Sequence, residues 1–152
     1  METPINWIVK PFSALSGAEV YDLLQLRAAI FVVEQDCVYL DPDDKDREAW
    51  HCLHYRDGEL LAAQRCIAPG VSYEDDSSIG RIVVDKRARG TGLSQEMLKL
   101  GIAFNRETWP GHGIQIGAQA HLQKFYGDLG FAVCSDLYLE DGIDHVHMRL
   151  AA

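Results

Sequence analysis

Residues 79–104 constrain the fold more than any other stretch of the chain. A β-branched run at 79–84 passes through the turn Asp85-Lys86-Arg87-Ala88-Arg89-Gly90-Thr91-Gly92 straight into a segment in which Leu93, Met97, Leu100, Gly101 and Phe104 recur at helical spacing. Val and Ile suit a pleated, half-buried surface, whereas steps of three and four residues gather apolar side chains on one side of a helix. Trp109-Pro110-Gly111 stops that helix, since proline has no amide to donate and clashes with the preceding turn. Residues 114–118 then read as the next strand. A strand that feeds a helix, followed by another short strand, belongs to a mixed α/β sheet with helices laid on it.

The same alternation extends in both directions. Residues 5–11 read as extended. Ser16 and Glu19 have the spacing of a capping box, which predicts a helix over 16–33 that buries Val20, Leu23, Leu24, Ala28 and Phe31 and turns Glu19, Asp22 and Gln25 to water. Residues 36–48 carry Asp41, Asp43, Asp44, Asp46 and Glu48 and read as a solvated loop. Segments 50–55 and 59–67 flank Asp57-Gly58, a strong hairpin signal. A two-residue turn there sets Cys52 opposite Ala63 and Cys66 opposite Ala49, which places the two thiols on opposite faces where they cannot bond. Residues 68–77 read as a polar loop and 122–129 as a short helix closed by Gly130. The segments 131–139 and 145–150 read as an antiparallel pair around 140–142.

With 152 residues, 47% hydrophobic and 24% charged, the chain reads as a single domain, 1–152, without linkers or repeats. A chain of this size buries roughly 68–70% of its extended surface, enough for a core without metal or disulfide staples. Disorder and collagen-like structure are excluded on composition. No apolar run nears the ~20 residues needed to span a bilayer, and residues 1–11 lack the features of a signal peptide, so a cytoplasmic location is expected. The net charge of −9 argues against nucleic acid as a partner and favours a cationic one. Cys37, Cys52, Cys66 and Cys134 show no metal or disulfide spacing and read as reduced thiols. His51 and Cys66 share a face in the expected hairpin, although no third group is evident to orient a nucleophilic pair. His145 and His147 alternate on a strand, but two ligands without a third make a poor metal site, and no metal is expected. Arg27 suits either an anionic group of a substrate or a nearby loop acid.

The turn at 85–92 has the chemistry of an anion site. Lys86, Arg87 and Arg89 cluster in an otherwise acidic chain, and the helix that follows has no Asp or Glu before Glu96. A helix start presents unpaired amides and a partial positive charge, and glycines let a ligand's oxygens approach the backbone. The Gly-Lys-Ser/Thr of a P-loop and the third glycine of a dinucleotide fingerprint are both missing.

The turn resembles motif A of the GNAT superfamily of acyl-CoA-dependent N-acetyltransferases, [QR]-x-x-G-x-[GA]. Arg87, Gly90 and Gly92 satisfy it literally; Arg89, Gly92 and Ser94 fit it apart from Ser in the last small position, and this second frame leaves Leu93 on the helical stripe. The run Gly117-Ala118-Gln119-Ala120-His121-Leu122-Gln123-Lys124-Phe125-Tyr126, then Leu129-Gly130-Phe131, is similar to motif B of the same superfamily. Leu23-Leu24-Gln25-Leu26-Arg27, Phe31-Val32-Val33-Glu34-Gln35 and Glu140-Asp141-Gly142-Ile143 resemble signatures of its ElaA family, across nearly the whole chain.

The resemblance implies a GNAT fold, with a mixed central sheet of about six or seven strands, about four helices and a parallel pair, 79–84 and 114–118, that splays into a slot for the pantetheine of coenzyme A. Backbone groups of Ile82, Val83 and Val84 would meet its amides, with Gln119, Leu122 and Phe125 along the slot. Arg87, Arg89 and the segment Gly90, Thr91, Gly92, Leu93, Ser94 and Gln95 would hold the pyrophosphate. The implied activity is acetyl transfer from acetyl-CoA to a primary amine by direct attack in a ternary complex. Tyr126 matches the superfamily's proton donor to the departing sulfur, and a phenol is neutral with a proton to give at pH 7. Glu34 and His121 are the candidate bases, with a water chain as an alternative. Two other readings fit the same residues: a CoA-responsive binding module without turnover, and transfer to a protein lysine or N-terminus. The terminal strands offer an edge to a second copy, hence a candidate homodimer.

Overall fold

The computed structural model describes residues 6–152, so Ile5, assigned to the first extended segment, lies outside the described residues. Eight strands form one sheet: β1 (Trp7–Pro11), β2 (Trp50–Arg56), β3 (Glu59–Ile67), β4 (Ser77–Val84), β5 (Ile114–Gln119), β6 (Ala132–Val133), β7 (Tyr138–Glu140) and β8 (Ile143–Leu150). Their order is β1-β2-β3-β4-β5-β8-β6, with β7 also on β8. The helices are α1 (Gly17–Arg27), α2 (Lys45–Glu48), α3 (Leu93–Thr108) and α4 (Gln123–Asp128). The count exceeds the expected six or seven strands because the anticipated 131–139 strand is interrupted. Ser135 accepts the His147 amide through its hydroxyl at 2.8 Å, and two short strands pair with β8 on either side of the break. The edge at that end is therefore only two and three residues long.

The sheet is covered on both faces. α3 buries Leu93, Met97, Leu98, Leu100 and Ile102 against Cys52, Ala62, Cys66 and Ile79. On the opposite face Leu23, Leu26 and Ile30 pack on Leu53, Leu60, Ala63 and Val83. Alternate residues of β2 and β3 thus feed different cores, as the two-residue period of a strand requires. Gly101 is where α3 lies closest to the sheet: a Cβ there would stand 2.6 Å from Gln64 Nε2.

α1 begins with the expected capping box, Ser16 Oγ accepting from the Glu19 amide at 3.0 Å and Glu19 Oε1 from the Ser16 amide at 2.8 Å. From Ala28 to Glu34 the helix widens to a π-helix, with the Gln35 amide donating to Ile30 and that of Cys37 to Val32. The buried face differs from the expected stripe. It comprises Leu23, Leu26, Arg27 and Ile30, while Ala28 is exposed.

Arg27, fully buried, explains the difference. It donates to Asp41 Oδ2 at 2.8 Å and to both carboxylate oxygens of Asp46 at 2.8 and 3.1 Å. Arg65 adds bonds to Asp43 and Asp46, and Arg81 pairs with Asp41. The acidic run is therefore not a solvated loop: Asp41 and Asp46 are 3% and 7% exposed. Their carboxylates bind the loop to the face of the sheet, and Arg27 is engaged by loop acids rather than by any substrate.

The hairpin register also departs from expectation. Arg56 faces Glu59 and Tyr55 faces Leu60 as the turn dictates, but a bulge between His54 and Tyr55 shifts the rest by one, so that Cys52 faces Gln64 and Trp50 faces Cys66. A one-residue slip exchanges the faces of all residues beyond it. Cys52 and Cys66 consequently share the α3 face as buried neighbours; the hydrogen bond with Cys52 and burial push the Cys66 thiol well above its ordinary value. His51 now lies across the sheet from Cys66, bonded to the Asp46 carbonyl at 2.8 Å, which removes the Cys/His pair.

Candidate active site

β4 and β5 run parallel, but their pairing is confined to Ser77 with Ile114 and Ser78 with Gln115. Beyond it the edge of β4 facing β5 makes no ladder bonds from Ile79 to Val84, and backbone amides and carbonyls are left for a ligand. Arg81, a non-glycine residue at φ 46°, interrupts the pleat midway along this edge and is anchored by Asp41. The gap opens into a cavity of about 560 Å³ that runs between the strands, with Ile82, Val83, Val84, Arg89 and Ser94 on one side and Gln119, His121, Leu122, Phe125 and Tyr126 on the other. Glu34, Gln35, Cys37 and Tyr39 also line it, together with Glu140, Asp141 and His145.

At the mouth, Gly90 and Gly92 adopt φ 77° and 84°, with open space where a Cβ would stand. Gly92 precedes α3 and no side chain caps it; Glu96, the one acid in the first turn, accepts instead from Trp7 Nε1 at 2.9 Å. Uncapped amides at the start of a sixteen-residue helix, bare glycines and open space fit a diphosphate. Thr91 is exposed with its hydroxyl bonded to the Ala88 carbonyl, and Gln95 is exposed. Leu93 sends its side chain into the core, as does Val83, so contact from either to a ligand rests on backbone atoms.

The basic residues separate. Arg87 is engaged by Asp85 and Glu59 and lines a different hollow with Asp22 and Gln25, so the structure does not bring it to the slot. Arg89 and Ser94, the positions of the second motif frame, do line the cavity. Arg89 reaches across to Glu34, Nη2 to Oε2 at 2.7 Å, and its Nε donates to the Val84 carbonyl at 3.2 Å. The hydrogen bond and charge of Arg89 hold the Glu34 carboxyl below its usual range, which makes Glu34 a poor proton acceptor while that contact lasts.

Tyr126 is 6% exposed, packed between Phe125 and Phe131, and borders the cavity. Burial pushes its phenol up to about 12, so it stays protonated throughout the neutral range. His121 is exposed in the turn before α4. Two neighbours escaped the sequence reading. Glu140 and His145 come from β7 and β8, the antiparallel pair expected around 140–142; the residues did not signal that β5 would flank β8 on its other side and bring His145 to the slot.

A splayed parallel pair with an uncapped helix start at its mouth is the arrangement of a GNAT-type acyltransferase fold, and the Acetyltransferase (GNAT) domain family matches residues 47–152. The chain belongs to that family, on its ElaA branch: protein ElaA of Escherichia coli K12 is 38% identical over 149 residues, covering 95% of each chain. The crystal structure of E. coli ElaA superposes with a TM-score of 0.89 at 36% identity, covering 95% of this chain and 97% of that one. That of an acyl-CoA N-acyltransferase from Pseudomonas aeruginosa gives 0.91 at 40% identity, covering 95% and 98%. A GNAT acetyltransferase from Elizabethkingia anophelis, crystallised with acetyl-CoA bound, shares the fold alone, at a TM-score of 0.63 and 14% identity over 98% and 100% of the chains. Among the described residues no helix is long and apolar enough to cross a membrane.

Proposed function

We propose that the chain transfers an acetyl group from acetyl-CoA to a primary amine by direct attack while both substrates are bound. The observation that carries this reading is one continuous cavity with an uncapped helix start at its mouth and a buried, neutral phenol on its wall. In this reading the amides of residues 90–95 receive the diphosphate, Arg89 turns to it from Glu34, and the free edge of β4 pairs with the pantetheine amides. Leu122 and Phe125 supply apolar contact, and Gln119 faces the acyl end from β5.

The thioester carbonyl then lies between Tyr126 and the acceptor end. Attack forms a C–N bond and breaks the C–S bond; the Tyr126 hydroxyl donates its proton to the departing sulfur and so neutralises the thiolate. The acetyl-CoA of the distant Elizabethkingia protein supports the choice of donor. Glu140 and Asp141, with Glu34 once Arg89 turns to the diphosphate, support a cationic acceptor, because Arg81 beside them is already paired with Asp41. The four free cysteines suit a reducing cytoplasm.

Acetyl-CoA is incubated with 1,4-diaminobutane, lysine, tyramine and a lysine-containing peptide, and free thiol is measured. Release of thiol that depends on an amine, with Tyr126→Phe losing turnover on the order of 100-fold yet keeping its thermal shift with CoA, is the expected result. A thermal shift with CoA and no thiol from any amine would replace the enzyme by a binding module.

A further inference from the structure

We propose that His145 is the base of this site and that, with Glu140, it forms the notch that receives the acceptor's ammonium group; the proposal rests on the acetyl-transfer reading and deepens it. His145 sits on β8 between Gln119 of β5 and Tyr138 of β7, is 8% exposed, and lines the cavity. Its Nδ1 lies 2.7 Å from the Ile143 carbonyl oxygen. A carbonyl only accepts, so Nδ1 carries the hydrogen, and the neutral ring presents its lone pair at Nε2. Glu140 Oε2, also an acceptor, lies 3.5 Å from Nε2. His145 lies in the wall and the exposed Glu140 carboxylate at its rim, two acceptors side by side that a primary ammonium, with three N–H groups, can serve together.

The surroundings hold the ring in that role. Tyr138 lies against it with ring centroids 5.8 Å apart and also stacks on His147 at 4.7 Å, which is bonded in turn to the Tyr73 hydroxyl at 3.2 Å. The charged and titratable groups that share the cavity are Asp141 and Cys37, the Glu34–Arg89 pair, Arg81 with Asp41 behind it, Tyr39 and His121. Of the three candidate bases, Glu34 is bound to Arg89 and His121 is exposed; His145 alone has a fixed tautomer and a carboxylate positioned to stabilise its protonated form.

The protons balance. The ammonium gives its first proton to His145 Nε2, whose imidazolium then pairs with Glu140. The amine nitrogen attacks the thioester carbon, the C–S bond breaks as Tyr126 protonates the sulfur, and the second proton lost from nitrogen restores the Tyr126 phenol. The first leaves from His145 to solvent.

The test is the pH profile of kcat/KM for 1,4-diaminobutane at saturating acetyl-CoA. The wild type is expected to rise with pH to a plateau. His145→Gln loses that limb and on the order of 100-fold or more in kcat, with an unaltered thermal shift by CoA. The limb persists in His121→Gln and Glu34→Gln, and Glu140→Gln raises KM for the diamine. A limb that survives in His145→Gln, or vanishes in His121→Gln, overturns the assignment. A second readout needs no turnover: in ¹⁵N spectra of the CoA-bound protein, 1,4-diaminobutane shifts the Nε2 resonance that is absent from His145→Gln. An unmoved resonance in a protein that does bind CoA also overturns it. Absence of thiol release by the wild type counts instead against acetyl transfer, so the two failures are separable.

Discussion

Replacement of Asp46 by Asn tests the buried ionic network that shapes the acceptor wall. Asp46 accepts from Arg27 Nη1 and Nη2 and from Arg65 Nη1, at 2.8, 3.1 and 2.8 Å. Arg27, Arg65 and Arg81 balance Asp41, Asp43 and Asp46, and Asp46→Asn leaves one positive charge in excess beside a guanidinium that has no access to water. Burial alone would raise the Asp46 carboxyl, but the hydrogen bonds and charges of Arg27 and Arg65 outweigh it and bring the group from 3.8 down to about 2. At about 1.4 kcal/mol per unit this sets a stabilisation of about 2 kcal/mol by the ionised form, and losing one partner of a buried pair costs up to about 5 kcal/mol. Asp46→Asn should therefore lose about 2–5 kcal/mol at pH 7, read from urea unfolding followed by tryptophan fluorescence. The sign of the pH dependence follows. A carboxyl lowered on folding stabilises above its unfolded value and ceases to do so as pH falls through its folded value, so the gap between wild type and variant should narrow by about 1 kcal/mol between pH 7 and pH 3. A loss below about 0.5 kcal/mol, or one indifferent to pH, would refute the reasoning.

Glu34→Gln releases Arg89 from its ion pair, so CoA should bind up to about fivefold more tightly by titration calorimetry, an exposed pair being worth little more than that. Gly101→Ala puts a methyl 2.6 Å from Gln64 Nε2, whose bond to the Met97 carbonyl pins it. Overpacking of about 1–3 kcal/mol should exceed the ~1 kcal/mol gained in helix propensity, lowering the thermal midpoint. With its phenol pushed up to about 12, Tyr126 remains a donor well above the usual tyrosine range, so turnover corrected for background thioester hydrolysis should show no downward limb between pH 8 and pH 10.

Local chemistry made part of this protein legible from its residues. The capping box of Ser16 and Glu19, the glycine turn before Leu93, the stop at Trp109-Pro110 and the reversal at Asp57-Gly58 each depend on neighbours along the chain, and each stands where its residues imply. The motif residues Arg89, Ser94 and Tyr126 converge on one cavity because they flank two adjacent parallel strands, an arrangement the family resemblance already implied. What escaped depends on distance. The bulge at His54–Tyr55 moves Cys52 and Cys66 to one face, since register answers to packing on both sides of the sheet rather than to the turn alone. An acidic run looks solvated until three arginines from α1, β3 and β4 are brought to it. Glu140 and His145 flank the expected 140–142 reversal, but that β8 also pairs with β5 and so brings them to the slot is seen only in the folded sheet. Short-range periodicity and capping act over a few residues and can be read in order, whereas buried charge pairing and sheet register exist only once remote segments exclude water together.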